Sequence, residues 1–243
     1  MIVLERQHGV TAVRQPEHAR VAAEICRAWR LEELVDDDPA VRRLFLDAVR
    51  RHDDGWIEWE RKALDRGARR LLDFKRMPST DHSDIWRRSV ELGAQDHPYL
   101  GALIALHAHG LYTDSVKTGD EEDADEVVRL VDWLNDCIDD AVERLRKMDE
   151  PWRAFDRPAL EADRVWLTVA DGLTLMMLEG VPRNDRLRAG GADIELHWHA
   201  GERVTVTAPA RIMARSVSVV FETIDGDDLS WTVEPPRTGH SSG

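Results

Sequence analysis

Up to Gly180, the apolar residues recur at intervals of three and four, which predicts a succession of amphipathic helices. The stripe that follows Pro16, a residue suited to the first turn of a helix, contains His18. The stripe that follows Asp38-Pro39, where an acidic cap precedes a proline, ends at His52. Further helices are predicted to begin near residues 79, 98, 126 and 159, the last of them ending at Gly180.

Residues 53–80 and 114–125 interrupt this pattern. The first segment is polar and rich in arginine, with Trp56 and Trp59 as its apolar exceptions, and the second is acidic. We predict irregular loops at both. Residues 1–14 are predicted to contain at most one short strand.

The period changes after residue 182. Apolar and polar residues then alternate, as in Ile194 to Trp198 and Val217 to Phe221, which is typical of strands. The sequence therefore predicts a mainly α fold with three domains or segments. These are a helical domain of residues 1–182, a small antiparallel β module of three to four strands packed on it over 183–234, and a disordered tail over 235–243.

Charge and composition restrict the function classes. A formal net charge of −14 repels a phosphate backbone, so we expect no binding to nucleic acid. No run of about 18 apolar residues occurs, so no segment is predicted to span a membrane. The N-terminus lacks the basic and apolar pattern of a secretory signal, and Cys26 and Cys137 lie in helical apolar patterns as reduced thiols would. We therefore expect a cytoplasmic protein.

Five titratable residues occupy apolar positions on five different predicted helices. They are His18, His52, His82, His107 and Asp171, the last within the most apolar segment of the chain. Burial of an unpaired carboxylate is costly. Because these residues all face one core, we expect them to share a partner, and a divalent cation both neutralises carboxylates and accepts imidazole nitrogen as a ligand.

The order His18, then His52-Asp53, then Asp171 resembles the signature of the HD-domain superfamily, whose members are helical metalloenzymes and mostly phosphohydrolases or phosphodiesterases. The resemblance implies an HD-domain-like helical bundle in which these four residues bind one metal ion. Dinuclear members carry two further histidines between the HD pair and the last aspartate. Here His82 and His107 stand in those places and are the implied ligands of a second ion.

Two histidines of this helix, His107 and His109, are close in sequence, and we choose His107 as the candidate ligand. His107 continues the stripe of Leu100, Leu103 and Ile104, whereas His109 lies two residues further on and so points to another side of the helix.

A closer resemblance is to the DUF3891 family of bacterial proteins, and it extends to about residue 225. The segments that carry it are Gln15-Pro-Glu-His18-Ala, His52-Asp-Asp-Gly-Trp56, Trp86-Arg-Arg-Ser89, Pro98-Tyr99 and Asp171-Gly-Leu-Thr-Leu175. This family implies no activity of its own, so the expected chemistry comes from the wider superfamily.

That chemistry is metal-dependent hydrolysis of a phosphoester or phosphoanhydride, with a small phosphorylated molecule as the substrate and a metal-activated water as the nucleophile. Asp53 is the carboxylate suited to bridge two cations, and Asp54 beside it is a second catalytic candidate. Trp56 and Arg87 are candidates for substrate contact, since a guanidinium donates to phosphate in a forked geometry. The implied cofactor is one or two ions of iron, manganese, nickel, cobalt or magnesium per chain.

Two other functions fit the same residues. A minority of dinuclear HD proteins hold two irons and activate oxygen, so a di-iron oxygenase is one alternative. The other is a binding protein whose metal only stabilises the fold. The formation of a homodimer is compatible with the sequence.

Overall fold

The computed structural model describes residues 1–6, 9–65, 73–115, 121–179, 185–189, 192–199, 203–207, 216–226 and 228–234. The helices within these ranges are α1 (Gln15–Trp29), α2 (Pro39–Arg51), α3 (Trp56–Asp65), α4 (Ser79–Asp96), α5 (Pro98–Ser115), α6 (Glu121–Leu145) and α7 (Arg157–Glu179). The strands are β1 (Ile2–Arg6), β2 (Gly9–Val13), β3 (Asp185–Ala189), β4 (Ala192–His199), β5 (Arg203–Thr207), β6 (Val217–Phe221) and β7 (Leu229–Glu234). The predicted fold class, mainly α with a small C-terminal β module, is confirmed.

Helix α5 lies at the centre of the helical core, where it contacts α2, α4, α6 and α7. Its first eleven residues, 98–108, are all buried. This burial explains why the segment is apolar on nearly all sides, since a helix surrounded by other helices has no face to expose to water.

The crossing of α4 and α5 is unusually close. A Cβ atom added to Gly101 of α5 would lie 2.7 Å from the Cα atom of Ala94 in α4, and one added to Gly93 would lie 2.5 Å from Leu100. Larger residues at these two glycines would force the helices apart. The contact fixes α5, and with it His107, relative to α4.

The prediction of an irregular segment over residues 53–80 was wrong in part. Helix α3 occupies Trp56–Asp65 and a 3-10 turn occupies Phe74–Arg76. The pattern hid α3 because one of its inward residues is charged: Glu60 is buried and accepts a hydrogen bond from the backbone N–H of Gln15, 3.0 Å away.

The predicted acidic loop over 114–125 was also wrong in part. Helix α5 continues to Ser115, and α6 begins at Glu121. The rest of the predicted loop, residues 116–120, lies outside the described residues.

The N-terminal segment forms a hairpin rather than a single strand. β1 and β2 pair antiparallel from Ile2 opposite Val13 to Arg6 opposite Gly9. Val13 also forms an isolated bridge with Thr223, which links the hairpin to the C-terminal part of the chain.

The C-terminal sheet has five strands in the order β3-β4-β5-β7-β6, one more than the largest number predicted. Its neighbouring strands pair antiparallel except β5 and β7, which pair parallel. The sheet packs on α1: Arg20 donates to the Val220 carbonyl at 2.8 Å, and the Glu222 N–H donates to Glu17 at 2.9 Å. The domain boundary at residue 182 stays a prediction, and the tail over 235–243 lies outside the described residues.

Two expectations about the whole chain can be compared with the fold. Cys26 and Cys137 are free thiols, as predicted. In the part of the chain that the structure describes, no helix combines the length and the apolar character needed to cross a lipid bilayer.

Candidate metal centre

Three helices bring two histidines and one aspartate to a common point in the core. His18 lies in the first turns of α1, His52 directly follows α2, and Asp171 lies in the second half of α7. Their exposed fractions are 1%, 1% and 5%. One ligand atom from each lies within 4.8 Å of the others, so this buried group could hold a metal ion.

The two imidazole rings are oriented by the same local device. Nδ1 of His18 lies 2.8 Å from the carbonyl oxygen of Gln15, and Nδ1 of His52 lies 2.8 Å from that of Val49. In both cases the carbonyl oxygen belongs to the residue three positions before the histidine. A carbonyl oxygen can only accept, so each Nδ1 carries the hydrogen and each neutral ring presents the lone pair of Nε2.

These Nε2 atoms face carboxylate oxygens. His18 Nε2 lies 2.7 Å and His52 Nε2 lies 3.4 Å from Asp171 Oδ1. Two acceptors at this separation repel each other unless a proton or a metal ion lies between them. The arrangement is therefore the one expected of ligands that share a cation.

Asp53 lies at the edge of the same group. Its Oδ2 atom is 3.3 Å from His18 Nδ1 and 3.4 Å from His52 Nε2, and the residue is 4% exposed. It therefore adds a second buried carboxylate beside that of Asp171.

His107 of α5 approaches Asp171 from the other side. Its Nε2 lies 3.5 Å from Asp171 Oδ2, and its Nδ1 lies 3.2 Å from the hydroxyl of Thr168. The ring centroids of His107 and His52 are 5.2 Å apart. His107 thus adjoins the group of His18, His52 and Asp171.

The pKa values of His52 and Asp171 show that a positive charge is favoured between these two residues. Burial opposes a charge on His52, but the carboxylate of Asp53 and the hydrogen bond to Asp171 outweigh it and raise the pKa of His52 to about 9. Burial would raise the pKa of Asp171, but the hydrogen bonds that His107, His18 and His52 donate when their Nε2 atoms are protonated hold it well below its usual value. The pKa of His107 is lowered by its burial.

His82 of α4 lines the same cavity but forms no ion pair with Asp53 or Asp171. Its Nδ1 is 3.1 Å from the hydroxyl of Tyr112, and its ring is 5.7 Å from that of Trp56. Burial lowers the pKa of His82, which keeps the ring neutral at neutral pH. Its Nε2 is buried without a hydrogen-bond partner among the described residues, so a ligand nitrogen is available there.

A cavity of about 280 Å³ opens above this group. Its polar lining residues are Gln15, His18, His52, Asp53, His82, His107 and Asp171. Its other lining residues are Trp56, Phe74, Trp86, Leu111, Tyr112 and Leu175. The cavity gives a small molecule access to the candidate ligands.

The glycine of the His52-Asp-Asp-Gly-Trp56 segment is required by close packing. A Cβ atom on Gly55 would lie 2.1 Å from the carbonyl oxygen of Ile85 in α4. The Gly55 N–H also donates to the hydroxyl of the buried Ser89 at 2.9 Å. The segments His52-Asp-Asp-Gly-Trp56 and Trp86-Arg-Arg-Ser89, which are far apart in the chain, therefore pack directly against each other.

The remaining predicted site residues lie in three different surroundings. Trp56 is buried and lines the cavity. The carboxylate of Asp54 accepts a hydrogen bond from Arg51 Nε at 2.8 Å, and Asp54 does not line the cavity. Arg87 lies over the ring of Trp133, 4.8 Å from its centroid, and likewise does not line the cavity. The predicted roles of Asp54 and Arg87 therefore gain no support from their positions.

Three residues around the site were not predicted from the sequence. Thr168 could have been found from its place one helical turn before Asp171, which puts both on one face of α7. Gln15 stands in the same segment as His18, but no pattern marks its side chain as facing a cavity. Tyr112 follows the apolar stripe of α5 and carries no recognisable signal.

The model of one protein family, described as "Protein of unknown function (DUF3891)", matches residues 1–220 of this chain. In the comparisons with curated proteins and with solved structures, nothing matches this chain.

Proposed function

We propose that this chain, which belongs to the DUF3891 family, is a metal-dependent hydrolase of the HD type that cleaves a phosphoester or phosphoanhydride. In this reaction a P–O bond to water oxygen forms, the P–O bond to the leaving group breaks, and the leaving group takes a proton. The observation that carries the proposal is the pair of Nε2 lone pairs, of His18 and His52, held toward Asp171 Oδ1 at 2.7 and 3.4 Å.

The residues fit a divalent cation. His18, His52, Asp53 and Asp171 offer two imidazoles and two carboxylates, a donor set suited to iron, manganese, cobalt or nickel. Both imidazoles are fixed by backbone carbonyls, which sets their tautomer and orientation in the way that ligands of bound metals require. A bound divalent cation supplies a Lewis acid that lowers the pKa of water and neutralises charge on a phosphoryl oxygen.

The protein residues then have separate tasks. Asp53, whose Oδ2 lies 3.3 Å from His18 and 3.4 Å from His52, would help to hold the bound cation and would accept a proton from the attacking water. Trp56 is one of the aromatic residues that line the cavity, and we assign it to substrate contact.

We further propose that His82 and His107 hold a second cation. Support comes from His107 Nε2, 3.5 Å from Asp171 Oδ2, and from the buried, unpartnered Nε2 of His82 in the same cavity.

The test is hydrolysis of a broad phosphoester and nucleotide panel by protein loaded with manganese, iron, cobalt, nickel or magnesium. We expect turnover with at least one metal, lost in Asp53→Asn and kept in Asp54→Asn. The two variants make the same chemical change at adjacent residues. Asp53 lies beside the histidines, whereas Asp54 accepts a hydrogen bond from Arg51. Absence of turnover with every metal would overturn the proposal.

The same preparations separate the two alternatives. Oxygen consumption by the iron-loaded protein without phosphoester cleavage would favour a di-iron oxygenase. Unfolding on chelation, with neither activity, would favour a structural metal.

A further inference from the structure

The lining of the cavity above the candidate metal centre combines two kinds of side chain. The carboxylates of Asp53 and Asp171 belong to it together with the histidines, and the rings of Trp56, Trp86 and Phe74 supply aromatic surface. The aromatic surface adjoins the candidate ligands, since Trp56 lies 5.7 Å from His82 and Trp86 lies 5.8 Å from His107 between ring centroids. None of the described residues that line the cavity is a lysine or an arginine. A phosphoryl group held at the metal therefore finds no side-chain cation in these walls for further phosphates, whereas an apolar group finds aromatic surface.

Two residues that line this cavity have a buried polar atom without a hydrogen-bond partner among the described residues: His82, whose Nε2 is assigned above to the second cation, and Gln15. The side-chain oxygen Oε1 of Gln15 is buried, and among the described residues nothing donates a hydrogen bond to it. Gln15 is only 3% exposed and lines the cavity. A buried acceptor left unpaired is costly, so a ligand that donates to it recovers that cost on binding.

We infer that the aromatic surface of Trp56, Trp86 and Phe74 is a subsite for the leaving group of the substrate, and that this group is an uncharged, planar ring with an N–H or O–H donor for Gln15. This inference rests on the proposed hydrolase function, since it names the substrate class as a small aromatic phosphomonoester.

The size of the cavity agrees with a small substrate. Sites for drug-sized ligands commonly occupy about 300–1,000 Å³. A cavity of about 280 Å³ lies just below that range. It accommodates one ring beside a phosphoryl group more readily than a nucleotide.

The first experiment measures binding of two anions to the manganese-loaded protein by calorimetry. We expect phenylphosphonate to bind at least about tenfold more tightly than methylphosphonate, since its ring buries at least about two methylene-sized groups more than the methyl group does. Equal binding of the two phosphonates would overturn the inference.

Variants locate the effect. Leu111→Ser, at the rim of the cavity, should reduce the preference for phenylphosphonate, whereas Val128→Ser on α6 should leave it unchanged. The two residues are matched, at 42% and 46% exposed. An equal effect of both variants contradicts the subsite.

Benzamide, which has no phosphoryl group and no charge, tests the subsite apart from the metal. We expect it to bind the wild type and to bind Gln15→Leu about three- to tenfold more weakly, as the loss of one hydrogen bond predicts. If Gln15→Leu binds benzamide as the wild type does, the assignment of Gln15 fails.

The two proposals can fail separately. If no phosphoester is hydrolysed but benzamide binds and Leu111→Ser weakens it, the hydrolase is wrong and the subsite stands. If phenyl phosphate and methyl phosphate are hydrolysed with equal kcat/KM, the hydrolase stands and the subsite is wrong.

Discussion

His18 Nε2 lies 2.7 Å from Asp171 Oδ1, although the two residues are 153 positions apart. The contact joins the first helix of the chain to the last, in the interior of the protein. Because the Nδ1 atom of His18 donates to a carbonyl, this contact needs a shared proton or a shared metal ion. A cation here would therefore connect α1 with α7 and support both the fold and the chemistry.

Asp171→Asn is expected to abolish metal binding while it keeps the shape of the side chain. The variant removes the charge that both Nε2 atoms face, so the affinity for manganese should fall by at least about a hundredfold. Thermal unfolding with and without manganese measures this, because a ligand that binds the native state raises the Tm by an amount that grows with the logarithm of its affinity. The wild type should gain stability on addition of manganese and the variant should not.

The control for this experiment is Asp136→Asn, an equivalent change at an exposed position of α6. It should retain the manganese-induced rise in Tm. A rise retained in Asp171→Asn as well would show that the ion binds elsewhere.

Gly55→Ala is expected to destabilise the protein severely. The added Cβ atom would lie 2.1 Å from a backbone oxygen of α4, which cannot move without shifting the helix. Overpacking of this kind costs up to about 3 kcal/mol. For a chain of this size that corresponds to a fall in Tm of roughly 6–12 °C.

Gly110→Ala is the matched control, since its Cβ would meet only the guanidinium end of Arg164 at 2.8 Å, and that side chain can move. Its unfolding free energy should stay within about 1 kcal/mol of the wild type, because alanine also favours the helix. Similar Tm values for the two variants would mean that the turn after His52 is not closely packed.

The sequence predicted the helices of the core well because their apolar stripes are uninterrupted. His18 and His52 could be identified from the same stripes, because a polar residue at a position that is otherwise apolar is visible in the sequence pattern alone. The helix bounds that were misplaced are those with charged residues at the wrong place for a simple pattern, as at the buried Glu60 in α3 and the acidic first turn of α6.

The mutual distances in the candidate site could not be predicted from the sequence. His82 and His107 occupy equivalent places on apolar stripes, yet His107 adjoins Asp171 while His82 bonds Tyr112. The difference arises from where α4 and α5 cross, which depends on close contacts such as that of Gly101 with Ala94. Arg87 likewise meets Trp133 because α4 and α6 pack together, a long-range contact with no local signal.

His82→Ala is expected to lower the metal content from two ions per chain to one. If His82 and His107 hold the second cation, removal of one imidazole leaves His18, His52, Asp53 and Asp171 to hold the first. Elemental analysis of the purified, metal-saturated protein measures the ratio directly. His109→Ala, on the same helix as His107 but outside the cavity residues, should keep both ions. An unchanged ratio in His82→Ala would remove His82 from the ligand set.

Asp163 gives the stability of the protein a pH dependence that is separate from the metal. Burial raises the pKa of Asp163 to about 7, even though its carboxylate accepts a hydrogen bond from Tyr99 at 2.8 Å. In the unfolded chain an aspartate has a pKa of about 3.9. The folded state thus favours the protonated form, so the stability that this group contributes is complete below about pH 3.9 and is lost as the pH rises through 7.

Asp163→Asn cannot ionise, and its stability relative to the wild type should therefore increase between pH 5 and pH 7 and level off above. The expected change in relative unfolding free energy is roughly 1–3 kcal/mol over this interval. Unfolding by urea at a series of pH values, with metal chelated throughout, measures it. Asp132→Asn, at an exposed position of α6, should run parallel to the wild type. Parallel curves for Asp163→Asn as well would mean that the buried carboxyl is ionised across the whole range.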